Sequence, residues 1–79
     1  MLEIVLPDMG EDVDEATISF WHVEAGDHVE VGMDIVEVTT EKSAFTVQSP
    51  YSGVIAELRA LEGENVQVGN ILAMLQEEE

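Results

Sequence analysis

Gly26-Asp27-His28-Val29-Glu30-Val31-Gly32 returns 37 residues later as Gly63-Glu64-Asn65-Val66-Gln67-Val68-Gly69, with four of the seven positions identical. The same spacing lays Ile18 on Ile55, Ile35 on Leu72 and Val38 on Leu75. Self-similarity at a fixed period marks a structural unit used more than once. Each half also opens with Pro-x-x-Gly, as Pro7-Asp8-Met9-Gly10 and as Pro50-Tyr51-Ser52-Gly53. From that glycine to the next aligned one is 16 residues in the first half and 10 in the second. Six residues are therefore inserted in the first half, over residues 11–16.

Within the repeat the apolar residues alternate, as in Leu2, Ile4 and Leu6, Val29 and Val31, and Val66 and Val68. A period of two puts such residues on one face of a strand. The pattern predicts strands over residues 2–6, 17–23, 28–31, 35–40, 44–48, 54–58, 65–68 and 71–75. Apolar parity changes between Phe20 and Trp21, as at a bulge or in a strand shared by two sheets. All six glycines fall at strand junctions, where positive φ or close backbone approach is needed. The expected fold is all-β, with eight strands in two facing sheets related by a pseudo-twofold, a flattened sandwich or barrel. Propensity alone also allows a helix over residues 56–63, which would break the repeat. Trp21, Phe20, Phe45 and Tyr51 read as core or hinge-packing residues.

Seventy-nine residues make one domain, 1–79. Two basic against 18 acidic side chains give a net charge of −16, which argues against nucleic acid and anionic membranes as partners. The acid excess either keeps a small protein soluble or docks a basic partner. With no cysteine, disulfides, thiolate metal sites and cysteine nucleophiles are excluded. No apolar run exceeds five residues (71–75), against the roughly 20 that span a bilayer, and Glu3 near the start does not suit a signal peptide.

Enzymatic constellations are lacking. His22 and His28 lie on or near different strands without the clustering of a metal pair, and read as structural or surface histidines. Among 18 acids, carboxylate pairs carry no specificity. Lys42-Ser43 has the dipeptide of a phosphate-binding loop without its glycines. What remains is Lys42, the only lysine, between two strand patterns and therefore at or beside a hairpin tip. Thr40-Glu41-Lys42-Ser43 contains none of the Gly, Asn or Asp that tight hairpin turns draw on, and a broken local rule points to function. The alternative is a charge that merely keeps a turn solvated. A nucleophilic lysine needs a deprotonated amine, whereas acidic Glu41 favours the ammonium. Such an amine is better suited to being modified by another enzyme.

Read together, Leu6-Pro7-Asp8-Met9-Gly10-Glu11, Trp21-His22-Val23-Glu24-Ala25-Gly26-Asp27-His28-Val29, Glu37-Val38-Thr39-Thr40-Glu41-Lys42-Ser43, Ser49-Pro50-Tyr51-Ser52-Gly53 and residues 63–69 resemble the lipoyl domains of 2-oxo acid dehydrogenase complexes. These share one attachment fold with biotinyl domains. The resemblance covers nearly the whole chain. It implies a flattened barrel of two four-stranded antiparallel sheets, with the modified lysine at a hairpin tip and the termini at the opposite end.

By the same resemblance, Lys42 would carry lipoic acid in amide linkage. The partners implied are a lipoate ligase or lipoyl transferase, a thiamine diphosphate-dependent 2-oxo acid decarboxylase, an acyltransferase core and dihydrolipoamide dehydrogenase. The chain itself would be a carrier rather than an enzyme, the amino-terminal domain of a dihydrolipoamide acyltransferase, and a monomer when isolated. Bacterial cytoplasm or mitochondrial matrix is the location implied.

Biotinyl domains typically set Met on both sides of the lysine; here Glu41 and Ser43 flank it, which favours lipoate over a carboxylase's biotin. Lipoyl domains often read Glu-Thr-Asp-Lys-Ala. This chain has Thr39 where an acid aids recognition by some lipoylating enzymes, Glu41 for Asp and Ser43 for Ala. Gly26 and Gly53 match the family. The inserted loop, with Glu11, Asp12, Val13 and Asp14, corresponds to one that lies near the lipoyl hairpin and contributes to recognition by the decarboxylase. An unmodified structural or interaction domain is the reading from another class.

Overall fold

A computed structural model describes residues 1–8, 10 and 13–77. Eight strands follow in order: β1 (Leu2–Val5), β2 (Glu15–Trp21), β3 (His28–Val29), β4 (Asp34–Thr39), β5 (Ala44–Gln48), β6 (Gly53–Leu58), β7 (Asn65–Gln67) and β8 (Ile71–Glu77). They form two four-stranded sheets, ordered β1-β8-β6-β3 and β5-β4-β2-β7, with every pairing antiparallel. Each sheet keeps two edge strands, so the fold is a sandwich rather than a closed barrel. No helix forms over residues 56–63: β6 runs to Leu58 and a turn follows.

The repeat in the sequence is written into the pairing. Ile18 faces Val38 and Ile55 faces Leu75; Phe20 faces Glu37 and Glu57 faces Met74; Trp21 faces Val36 and Leu58 faces Ala73. In each case the second pair lies 37 positions after the first. The turn bonds cross reciprocally between the halves: Gly26 N–H donates to the Ile55 carbonyl, and Gly63 N–H, 37 positions on, to that of Ile18, 37 positions before Ile55. β5 lies on β1 at a spacing of 43, since Leu2 faces Leu75 as Phe45 faces Val38. The difference from 37 is the six-residue insertion between β1 and β2.

The breaks in register repeat as well. Ser19 is skipped between β2 and β4 and Ala56 between β6 and β8; Ile35 is skipped between β4 and β5 and Leu72 between β8 and β1. A bulge turns the residues beyond it to the other face. At Ile35 and Leu72 this lets consecutive residues, Ile35 with Val36 and Leu72 with Ala73, enter the core. At Ser19 it turns Trp21 inward and Phe20 outward. Phe20 is 52% exposed, so it is not a core residue as its aromatic character suggested; it stands edge-on to His22, with ring centroids 5.1 Å apart. Trp21, Phe45 and Tyr51 pack against the core as expected.

Ile4, Leu6, Ile18, Val29, Ile35, Val36, Val38, Ile55, Leu72 and Leu75 fill the space between the sheets, each almost fully buried. Burying a large aliphatic side chain contributes about 1.5–3 kcal/mol, so these residues form the main cohesive element of a fold with no disulfide. β3 is shorter than the alternation of Val29 and Val31 predicts. It ends at Val29, Val31 is exposed, and the Val31 N–H donates to the Ser52 hydroxyl rather than to a strand. Five glycines have positive φ, among them Gly26 at 98° and Gly63 at 89° in the two matching turns.

Candidate functional site

β4 and β5 pair down to Thr39 and Ala44, which leaves Thr40, Glu41, Lys42 and Ser43 to reverse the chain. A turn without Gly, Asn or Asp needs another source of local hydrogen bonds. Thr40 supplies it. Its hydroxyl accepts from Lys42 N–H at 3.2 Å and Ser43 N–H at 3.1 Å, and donates to the Ser43 carbonyl at 3.1 Å. Thr40 N–H donates to that same carbonyl at 2.8 Å, closing the hairpin. Such a side-chain-capped turn is the hydroxyl counterpart of an Asx turn.

Glu41, Lys42 and Ser43 are exposed, and among the described residues no carboxylate forms an ion pair with Lys42. A long amine at the crest of a turn is reachable by a large partner. Lys42 is also the only side-chain primary amine in the chain.

An open groove of about 500 Å³ runs beside the turn, between Thr39, Thr40, Glu41 and Lys42 on one side and Val13, Asp14, Glu15 and Thr17 on the other. The described part of the insertion that breaks the internal symmetry thus lies across the groove from the lysine hairpin. Val13 N–H donates to the Gly10 carbonyl, and the Asp14 carbonyl accepts from Val68 N–H. The first closes a turn within the loop, and the second ties the loop's end to the chain just after β7 before β2 begins. Glu11 and Asp12 lie outside the described residues.

Gly26 and Gly53 do not line this groove. Gly26 sits in the turn before β3, and Gly53 starts β6 opposite Glu77. The hairpin's counterpart in the other half is the pairing of β8 with β1, which no turn joins. His22 is on the sheet surface, its Nε2 2.9 Å from a Glu37 carboxylate oxygen. Thr40 is the turn-forming residue that sequence reasoning passed over, although the missing turn residues pointed to it.

Lys42 thus stands exposed at the crest of a β-hairpin in a sandwich of two matching halves. The family model described as "Biotin-requiring enzyme" (biotin/lipoyl attachment) matches residues 2–75. The chain belongs to the biotin/lipoyl attachment family.

Within that family its likeness is to lipoyl domains. The solution structure of the lipoyl domain of the 2-oxoglutarate dehydrogenase complex from Azotobacter vinelandii superposes with a TM-score of 0.76 at 32% identity, covering 98% of both chains. Among curated relatives, the dihydrolipoyllysine-residue acetyltransferase component of the pyruvate dehydrogenase complex of Corynebacterium glutamicum is 40% identical over 72 residues. That alignment takes in 91% of this chain and 11% of the relative. The succinyltransferase component of the 2-oxoglutarate dehydrogenase complex of Staphylococcus saprophyticus is 40% identical over 77 residues, 98% of this chain and 18% of the relative. The lipoamide acyltransferase component of the branched-chain alpha-keto acid dehydrogenase complex of Bacillus subtilis is 40% identical over 76 residues, 96% of this chain and 18% of the relative. The chain thus spans less than a fifth of the length of each of these three relatives. No helix of the described residues is long and apolar enough to cross a membrane.

Proposed function

We propose that this chain is a lipoyl carrier domain of a 2-oxo acid dehydrogenase complex, with Lys42 as the residue that takes lipoic acid in amide linkage. The observation that carries the reading is the position of the only lysine at the crest of the β4–β5 hairpin, in a fold that matches a lipoyl domain over nearly its full length. Glu41 and Ser43 beside it, in place of the methionines typical of biotinyl domains, favour lipoate over biotin.

Bound there, lipoic acid would supply a dithiolane that accepts an acyl group and a pair of electrons. The protein's own part is positional. The hairpin holds the attachment point out from the sandwich, and the sandwich fixes the turn on two packed sheets. Thr39, Glu41 and Ser43 form the surface that a lipoate ligase or lipoyl transferase would meet around Lys42. Gly26 and Gly53 support that surface only through the fold. The loop of Glu11, Asp12, Val13 and Asp14, across the groove from Lys42, is our candidate contact for a thiamine diphosphate-dependent decarboxylase.

An acyltransferase core and dihydrolipoamide dehydrogenase are the remaining partners, with the domain tethered so that its arm meets each site at high effective concentration. Equal identity to components of pyruvate, 2-oxoglutarate and branched-chain complexes makes the 2-oxo acid class the common denominator. The domain acts as a monomeric carrier in the bacterial cytoplasm or the mitochondrial matrix, and catalysis belongs to its partners.

The test is incubation with lipoate, ATP and a lipoate ligase, in parallel with biotin, ATP and a biotin ligase, read by intact mass. One lipoyl group and no biotin is the expected result. Biotin alone would move the chain to a carboxylase, and neither group on a folded chain would leave Lys42 a surface charge.

A further inference from the structure

Lys42 is presented by a turn whose internal bonds all involve Thr40. The Thr40 hydroxyl contacts the N–H groups of Lys42 and Ser43 and the carbonyl of Ser43, so it brackets the peptide unit that bears the lysine side chain. Among the described residues, no other side chain forms a hydrogen bond with the backbone of residues 40–43. Thr40 is half-buried at the end of β4, whereas Glu41, Lys42 and Ser43 are exposed. Its β-branched side chain has few rotamers, which keeps the hydroxyl under the turn.

We propose that Thr40 is a positioning residue for the modification of Lys42. Its hydroxyl holds the turn, before any encounter, in the shape that the modifying enzyme accepts. The inference rests on the carrier reading above and deepens it, because the residue acts through Lys42 and touches no cofactor.

In the modification, lipoate and ATP first give a lipoyl adenylate and pyrophosphate on the ligase. The Lys42 ammonium gives up a proton to a base of that enzyme or to water. Nζ then forms the C–N bond to the lipoyl carbonyl carbon, the C–O bond to the adenylate phosphate breaks to release AMP, and the nitrogen loses its second proton to the same base or to water as the amide forms. Oxidation states do not change. The amine must reach one carbon atom within the ligase, and a turn that samples many shapes must be ordered at that moment, which weakens productive binding. A preformed turn avoids this cost. Because the loss falls on binding rather than on the chemical step, it should appear in KM more than in kcat.

The experiment measures lipoylation of the full chain by a lipoate ligase with saturating lipoate and ATP, varying the concentration of wild type, Thr40→Val and Thr40→Ser. Amide hydrogen exchange is recorded at Lys42 and Ser43 in parallel. Thr40→Val keeps the shape of the side chain and deletes the hydroxyl. It should raise KM about tenfold with kcat within about twofold, and speed exchange at both amides by a similar factor, as expected for lost hydrogen bonds. Thr40→Ser restores the hydroxyl and should return both readouts to within about threefold of wild type. Wild-type kcat/KM in Thr40→Val overturns the inference, even if that variant melts at a lower temperature. So does a Thr40→Ser variant as impaired as Thr40→Val. A wild-type chain that takes no lipoate overturns the carrier reading, and this inference with it.

Discussion

Gly53 and Gln76 run so close together that a Cβ on Gly53 would overlap the Gln76 carbonyl oxygen and stand 2.8 Å from a methyl carbon of Leu75. Gly53 does not have positive φ, so crowding rather than backbone torsion requires glycine there. Its counterpart in the other half is Ala16, which pairs with Val66 as Gly53 pairs with Val29. At that matching position β2 carries a Cβ, and there β4 ends at Thr39, opposite Thr17, whereas β8 continues to Glu77, opposite Gly53.

Gly53→Ala must therefore push β8 away and should destabilise the domain by about 1–3 kcal/mol, the usual range for overpacking. The reverse change in the other half, Ala16→Gly, adds freedom to the unfolded chain and removes one buried methyl, and should cost about 1–2 kcal/mol. Urea unfolding midpoints of the two variants check both, and an unchanged midpoint in Gly53→Ala would contradict the crowding.

Trp21 joins the two halves through its indole N–H, which donates to the Ala60 carbonyl at 2.9 Å. Ala60 is buried, so the carbonyl has little access to replacement water. Trp21→Phe keeps an aromatic ring and removes the donor. A loss of about 1–2 kcal/mol is expected, read as a drop in thermal midpoint of roughly 4–16 °C for a domain of this size. An unchanged midpoint would mean that the bond contributes nothing net.

Replacing residues 11–14 by a short neutral turn should leave lipoylation of Lys42 intact, since the turn bonds of Thr40 lie outside the loop. Reductive acylation by a 2-oxo acid decarboxylase should fall about tenfold at low salt, and the difference should shrink as salt screens the acidic surface. Unchanged reductive acylation would remove the loop from the decarboxylase interface.

The 37-residue repeat made the two matching halves legible, and residues that match in sequence also match in register, from Ile18 with Val38 to Ile55 with Leu75. The bulges were only half visible. A parity change near Phe20 pointed to one, but an aromatic side chain reads as buried until the skip at Ser19 turns it outward. Val31 misled for a related reason: alternation continues in the sequence after pairing has stopped at Val29. At the site, Lys42 was legible as the only lysine between two strand patterns. Thr40 was not, because one hydroxyl takes the place of the Gly or Asn that turn rules look for, and residue preferences record only the common solution.

The most direct test of Lys42 as the lipoyl site is a tryptic digest of the chain after treatment with lipoate, ATP and a lipoate ligase. Trypsin cuts after Lys and Arg, and Lys42 and Arg59 are the only two such residues. Acylation of Lys42 blocks cleavage there. The account predicts a 1–59 peptide heavier by one lipoyl group, together with 60–79. Unmodified peptides 1–42 and 43–59, from a reaction in which a known lipoyl domain is fully modified, would contradict it.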